Sequence, residues 1–343
     1  MIVGMRNTTT AAISHEIDEM HVERGEAAMD RVLTLIISTQ RSGLEQALET
    51  VNAASREHPC RVIAIVTDAQ PSSDQSSGEG EGKSQGARYK ANLGAEPECY
   101  KAIPAGEQGD HTLDAQIRFG ADAGAGEVIV LAPVDGLLQH LDTLVIPLLV
   151  PDVPVVTWWP SQAPSDPSAD PLGSKSSSRI TDAQNSADPA ATFEALREHC
   201  QPADIDLSWT RITIWRAMLA SIIAQPPHLP VQSVTVSGQA DYLPLELLAS
   251  WLALKLQVPV RVQREPQAQA ITGVYFERED GTLSMERLEG DHAVIRQPGQ
   301  SDQTVSLPLR SAVDCLSEQL GRLDPDEVYA EVVSKGWGMV SHQ

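Results

Sequence analysis

"RVLTLIISTQRSGLEQALETVNAASREHPCRVIAIVTD", residues 31–68, carries the reading on which the fold depends. Its opening, "RVLTLIIST", is a short apolar run rich in Leu, Ile and Val, the composition of a strand covered on both faces. In "SGLEQALETVNAASREHP" the residues Leu44, Ala47, Leu48, Val51 and Ala54 recur at helical spacing. Pro59 ends that helix, because the residue before a proline avoids the helical region. "CRVIAIVTD" is a second buried strand. Strand, helix and strand in this order predict a parallel crossover, and so an α/β fold.

Upstream, "TTTAAISHEIDEMHVERG" places Ile13, Ile17 and Met20 at helical spacing and reads as an amphipathic helix. Downstream, "AQPSSDQSSGEGEGKSQGARYK" has too little apolar surface to offset the entropy of ordering it, and reads as a surface loop. "ECYKAI" and "EVIVLAP" read as strands, and "LDAQIRFG" fits strand and helix spacing equally. "GLLQHLDTLVIPLLV" reads as a helix interrupted at Pro147, and "VPVVTWWP" as a strand ending on two tryptophans. Together these complete a first α/β domain over residues 1–160 with a mostly parallel sheet. The Pro-, Ser- and Asp-dense "SQAPSDPSADPLGSKSSS" makes residues 161–190 an irregular loop or linker.

Residues 191–343 are expected to form a second, mixed α/β domain. After the helical "DPAATFEALREHC", the runs "VQSVTVSG", "LPLELLASWLALKLQ" and "VPVRVQRE" repeat the strand, helix, strand order. "AITGVYFERE", "LSMERLEG", "HAVIRQP" and "TVSLPLR" follow too closely for crossover helices, so they pair antiparallel. Two short helices close the chain, the second with Asp324 and Pro325 as cap and first-turn residues.

A chain of 343 residues is long enough for two hydrophobic cores. Its net charge of -22 repels a phosphate backbone, which makes nucleic acid a poor partner. No apolar run reaches the roughly 20 residues of a membrane helix, and the start lacks the pattern of a secretory leader, so a cytoplasmic protein is expected. The four cysteines, Cys60, Cys99, Cys200 and Cys315, are far apart and read as reduced thiols.

No catalytic, metal or cofactor motif is complete. "SGEGEGKS" (77–84) misses the phosphate-loop glycine, holding Ser77 where one is needed. "HEIDEMH" has Glu19 in the second histidine position of the helical zinc motif, so it reads as a solvated helix face. "GADAGAG" (120–126) precedes a strand, where a dinucleotide fingerprint would follow one. No Gly-x-Ser-x-Gly elbow occurs. No cofactor and no catalytic residue are therefore expected.

The aromatic residues are few, 4% of the chain, yet "DLSWTRITIWR" (206–216) holds Trp209 and Trp215 beside Arg211 and Arg216, and "PVVTWWP" holds Trp158 and Trp159. From Thr213, a possible cap, a helix would align Trp215, Leu219, Ile222 and Ile223 on an apolar face. Trp158 and Trp159 point to opposite faces of a strand end, so one enters a core more easily than the other. Burying an indole contributes on the order of 4–6 kcal/mol whether a core or a partner covers it, so energy alone does not separate filler from anchor. Because interfaces favour Trp and Arg, the candidate partner-binding residues are Trp158, Trp159, Trp209, Arg211, Trp215 and Arg216.

"VNAASREHPCRVIAIV", "LDAQIRFGADAGAGEVIVLAP", "LLVPDVPVVTWWP", "DPLG" with "RITDA", and "DLSWTRITIWR", in this order, resemble the OpcA family of glucose-6-phosphate dehydrogenase assembly proteins in its actinobacterial form. The resemblance runs from about residue 30 to residue 265. It implies a non-catalytic cytoplasmic partner of glucose-6-phosphate dehydrogenase that promotes that enzyme's assembly or active state, at the entry to the oxidative pentose phosphate pathway. Two departures stand out. Ile214 occupies the proline position of the family's Thr-Pro-Trp-Arg motif, which removes a fixed first-turn residue, and the loop from Pro71 to Gly86 lies outside the pattern. The rival reading is an α/β enzyme or sugar-phosphate sensor with a site between the domains.

Overall fold

The computed structural model describes residues 1–24, 32–68, 93–101, 113–120, 126–287 and 290–340. The chain divides into two compact units, Met1–Pro160 with Pro171–Ser177, and Ser161–Asp170 with Ser178–Gln343. The phosphate-loop-like stretch 77–84 and most of the glycine-rich 120–126 lie outside the described residues.

In the first unit, β1 (Ile2–Met5), α1 (Thr10–Arg24), β2 (Leu33–Thr39), α2 (Leu44–Ala54), β3 (Cys60–Val66), β4 (Cys99–Lys101), β5 (Leu113–Phe119), β6 (Glu127–Pro133), α3 (Leu141–Val145) and β7 (Val155–Trp159) follow in order. The strands lie as β4-β1-β5-β6-β3-β2-β7. β2 and β3 pair in parallel from Leu33 opposite Cys60 to Thr39 opposite Val66, with α2 as their crossover. β6 and β7 continue the parallel set on either side. The ambiguous "LDAQIRFG" is a strand, β5, antiparallel to both β6 and β1. Neither spacing pattern decided it; the two neighbouring ladders did. β1 carries no expectation from the sequence, and Gly4 within it lets Tyr100 pack: a Cβ there would sit 2.6 Å from the tyrosine ring.

Ile13, Ile17 and Met20 of α1 are buried as the spacing predicts. On its other side His15 and Glu19 approach at 3.7 Å in solvent. His21 bonds Glu127 Oε2 at 2.9 Å, and Arg61 bonds Glu127 through Oε1. The histidines of "HEIDEMH" therefore belong to surface and packing contacts. The run around Pro147 divides into a short 3₁₀ turn at Asp135–Gln139, α3, and a second 3₁₀ turn at Ile146–Leu148, where one interrupted helix was expected.

In the second unit, β8 (Ser178–Thr181), α4 (Pro189–Glu198), β9 (Asp204–Asp206), α5 (Leu207–Arg211) and α6 (Thr213–Ile223) precede β10 (Ser233–Gln239), α7 (Leu243–Leu256) and β11 (Val260–Glu265). Then come β12 (Ile271–Arg278), β13 (Gly281–Glu286), β14 (His292–Arg296), β15 (Gln303–Ser306), α8 (Ala312–Leu320) and α9 (Glu327–Glu331). The stretch 161–190, expected to be irregular, contains β8, whose four residues are buried and pair in parallel with β9. No alternation marks it, because its ladder partner lies a helix further along. β10 and β11 are parallel across α7, and β10, β12, β13, β14 and β15 pair antiparallel in turn, both as expected. β11 and β15 are the outer strands of this sheet, and Arg261 and Gln263 of β11 are exposed.

Candidate functional site

The candidate residues of "DLSWTRITIWR" sit where β9 turns into two short helices. Asp206 caps α5, its Oδ1 accepting from the Ser208 amide at 2.9 Å. Its Oδ2 accepts from the Thr181 hydroxyl at 2.7 Å and from the Ala183 amide at 2.8 Å. The helix stops at Arg211 and restarts at Thr213, with Ile212 between them as N-cap and no side-chain cap. Thr213 is thus not the cap the sequence suggests. Its hydroxyl, drawn out of the turn, donates to Glu318 Oε1 at 3.0 Å.

All four candidate tryptophans are core residues: Trp158 and Trp159 are each 2% exposed, Trp209 1% and Trp215 3%. Both Trp158 and Trp159 are buried, although alternation on β7 suggests that one enters a core more easily than the other. Trp158 Nε1 has no acceptor among the described residues. Trp209 packs at 5.8 Å from the Tyr329 ring and donates from Nε1 to Asp326 Oδ2 at 2.9 Å. Asp326, not Asp324, caps α9, with Oδ1 accepting from the Tyr329 amide at 2.9 Å.

The two arginines differ in their partners. Arg211 forks onto Asp182, Nη1 to Oδ1 at 2.7 Å and Nη2 to Oδ2 at 2.8 Å, and the carboxylate is fully buried. Burial pushes the Asp182 carboxyl up to about 6, against the downward pull of Arg211. Arg216 instead lies flat on Trp209, its guanidinium carbon 3.7 Å from the ring centroid. Its only side-chain hydrogen bond among the described residues is a long one, 3.3 Å from Nη2 to the Thr213 hydroxyl, and its buried Nε has none. Burial, aided by Arg322 and Arg310, lowers its proton affinity to about 10, opposed by Asp326 and Glu318.

Arg216 forms one wall of a cleft of about 250 Å³ between α6 and the α8–α9 connection. Glu318 accepts in that cleft from Thr213 and from Arg310, and Gln319 Nε2 is held by the Thr210 hydroxyl at 2.9 Å. Asp182, Arg310, Glu318, Arg322 and Asp326 are the parts of this arrangement that sequence reasoning missed. Only Asp324 and Pro325, expected to start the last helix, marked this stretch in the sequence. A larger concavity of about 650 Å³ lies along β10 and β11, where Arg264 is already paired with Glu246 at 2.6 Å. No cluster of His, Cys, Asp and Glu suited to a metal occurs among the described residues.

Two family profiles match consecutive parts of the chain. Residues 51–198 match the glucose-6-phosphate dehydrogenase subunit N-terminal domain, and residues 202–333 match the C-terminal domain of the same subunit. The chain belongs to the OpcA family of glucose-6-phosphate dehydrogenase subunits. The family's C-terminal segment contains the whole of the cleft just described. Curated relatives named ATP synthase subunit delta, from Streptomyces lividans and Streptomyces coelicolor, are each 30% identical over 116 residues, which are 33% of this chain and 42% of theirs. A solved structure of UDP-N-acetylglucosamine 3-dehydrogenase GnnA from Acidithiobacillus ferrooxidans is 12% identical, with a TM-score of 0.41 over 90% of this chain and 96% of that one. Among the described residues no helix is long and apolar enough to cross a membrane.

Proposed function

We propose that this chain is a non-catalytic cytoplasmic factor that binds glucose-6-phosphate dehydrogenase and favours its assembled or active state, at the entry to the oxidative pentose phosphate pathway. The supporting observation is the pair of consecutive family matches, which together run from residue 51 to residue 333. A binding protein shifts an enzyme's conformational or oligomeric equilibrium only through differential affinity for its states. A tenfold shift needs about 1.4 kcal/mol, within reach of one well-placed contact.

The candidate residues serve this role mainly from below the surface. Trp158, Trp159, Trp209 and Trp215 are covered by the chain itself, and Arg211 is locked to Asp182, so these five act as packing residues, each within its own unit. Arg216 is the one that keeps donors to offer.

The test is co-purification of the chain with its cognate dehydrogenase, followed by mass and activity measurements with and without it. A complex of defined mass with raised activity is expected. Absence of association together with unchanged activity at every concentration overturns the reading.

A further inference from the structure

The Arg216 cleft contains both guanidinium groups and carboxylates. Asp326 spends both oxygens, one on the Trp209 indole and one on the Tyr329 amide. Glu318 spends both of its own on Thr213 and Arg310. The donors are not spent: Arg216 makes one long bond, its Nε is buried without a partner, and exposed Arg322 makes no side-chain bond or ion pair among the described residues. Arg216 and Arg322 thus make no ion pair among the described residues with Glu318, Asp324 or Asp326, the three carboxylates that line the same cleft. Exposed Asp324 makes no side-chain hydrogen bond among the described residues.

A ligand that completes this inventory presents several acceptor oxygens and more than one negative charge to the arginines, and hydroxyl donors to Asp324. We propose that the cleft binds a small phosphate monoester of a polyhydroxylated compound, with the phosphate between Arg216 and Arg322 and a hydroxyl on Asp324. A phosphate carries about -1.5 to -2 charge at neutral pH, which two guanidinium groups match and a single carboxylate does not. The volume, about 250 Å³, suits a metabolite smaller than most drug-sized ligands. Trp209 fixes the plane of the Arg216 fork by stacking, so the donors are held ready before the ligand arrives. Arg322 and Arg310, which repel Arg216, would attract the anion, and Asp326 and Glu318 would oppose it.

Calorimetric titration of the full chain with glucose 6-phosphate, inorganic phosphate and glucose tests this. Glucose 6-phosphate is chosen because of the family reading; the anion site itself does not depend on it. Saturable one-to-one binding of glucose 6-phosphate is expected, with weaker binding of phosphate and none of glucose. Arg216→Gln should lose at least about tenfold in affinity, and Arg322→Gln several-fold, since each removes one charged fork. Arg322 is exposed, so its variant keeps the test open if Arg216→Gln fails to fold. No saturable binding of glucose 6-phosphate, equal binding of glucose, or unchanged affinity in Arg322→Gln overturns the proposal. If the ester does not bind but Arg322→Gln abolishes capture of the dehydrogenase, the cleft receives a partner's carboxylate; the ligand assignment falls and the functional reading stands. If the ester binds and the dehydrogenase is never captured, the site stands and the functional reading falls.

Discussion

Replacing Asp182 by Asn would leave the Arg211 guanidinium, 11% exposed, without its counter-charge. Stranding a buried cation costs about 3–5 kcal/mol, which urea unfolding should read directly. Thiols give a second measurement. Burial pushes Cys60 up to about 12 and Cys200 and Cys315 up to about 11, so little thiolate is present at neutral pH. Iodoacetamide should label the exposed Cys99 first, and Cys60 and Cys315 only on unfolding, as mass spectrometry would show. The sequence picked out the right tryptophans and arginines but not their partners. Trp209 finds its acceptor 117 residues away, and no local pattern encodes that distance.

The helix boundaries show where local rules were enough and where they were not. Ser311 and Asp314 form a reciprocal capping box at the start of α8, and Asp188 caps α4 ahead of Pro189. At α9 two aspartates compete, and Asp326 wins because it can cap the helix and accept the Trp209 indole with one carboxylate. Asp326→Ala should therefore cost about 2–4 kcal/mol, a cap plus an orphaned buried donor, while Asp324→Ala should stay within about 0.5 kcal/mol. Denaturant unfolding of the two variants separates them. The crossover units β2-α2-β3 and β10-α7-β11 were legible because each is a local pattern of apolar spacing. β8 and β5 were not, since both are specified by ladders to strands elsewhere in the chain.

Across the whole molecule the tryptophans act as structural filler in both units, so truncating one should cost fold stability before it costs recognition. Trp159→Ala is expected to lose about 3–5 kcal/mol in unfolding free energy. The charge of -22 predicts no retardation of duplex DNA at physiological salt in a mobility-shift assay. The outermost strand β11 has a further consequence. Its free rim of peptide groups could template the sheet of another copy, and that hazard is held off by side chains that dislike being stacked on their own likeness. Arg261 stands outward on this rim, so like copies meeting edge to edge would bring guanidinium against guanidinium. Colloidal behaviour then hangs on a residue remote from any pocket of interest: Arg261→Val should leave the melting transition nearly unmoved yet make concentrated solutions turn turbid.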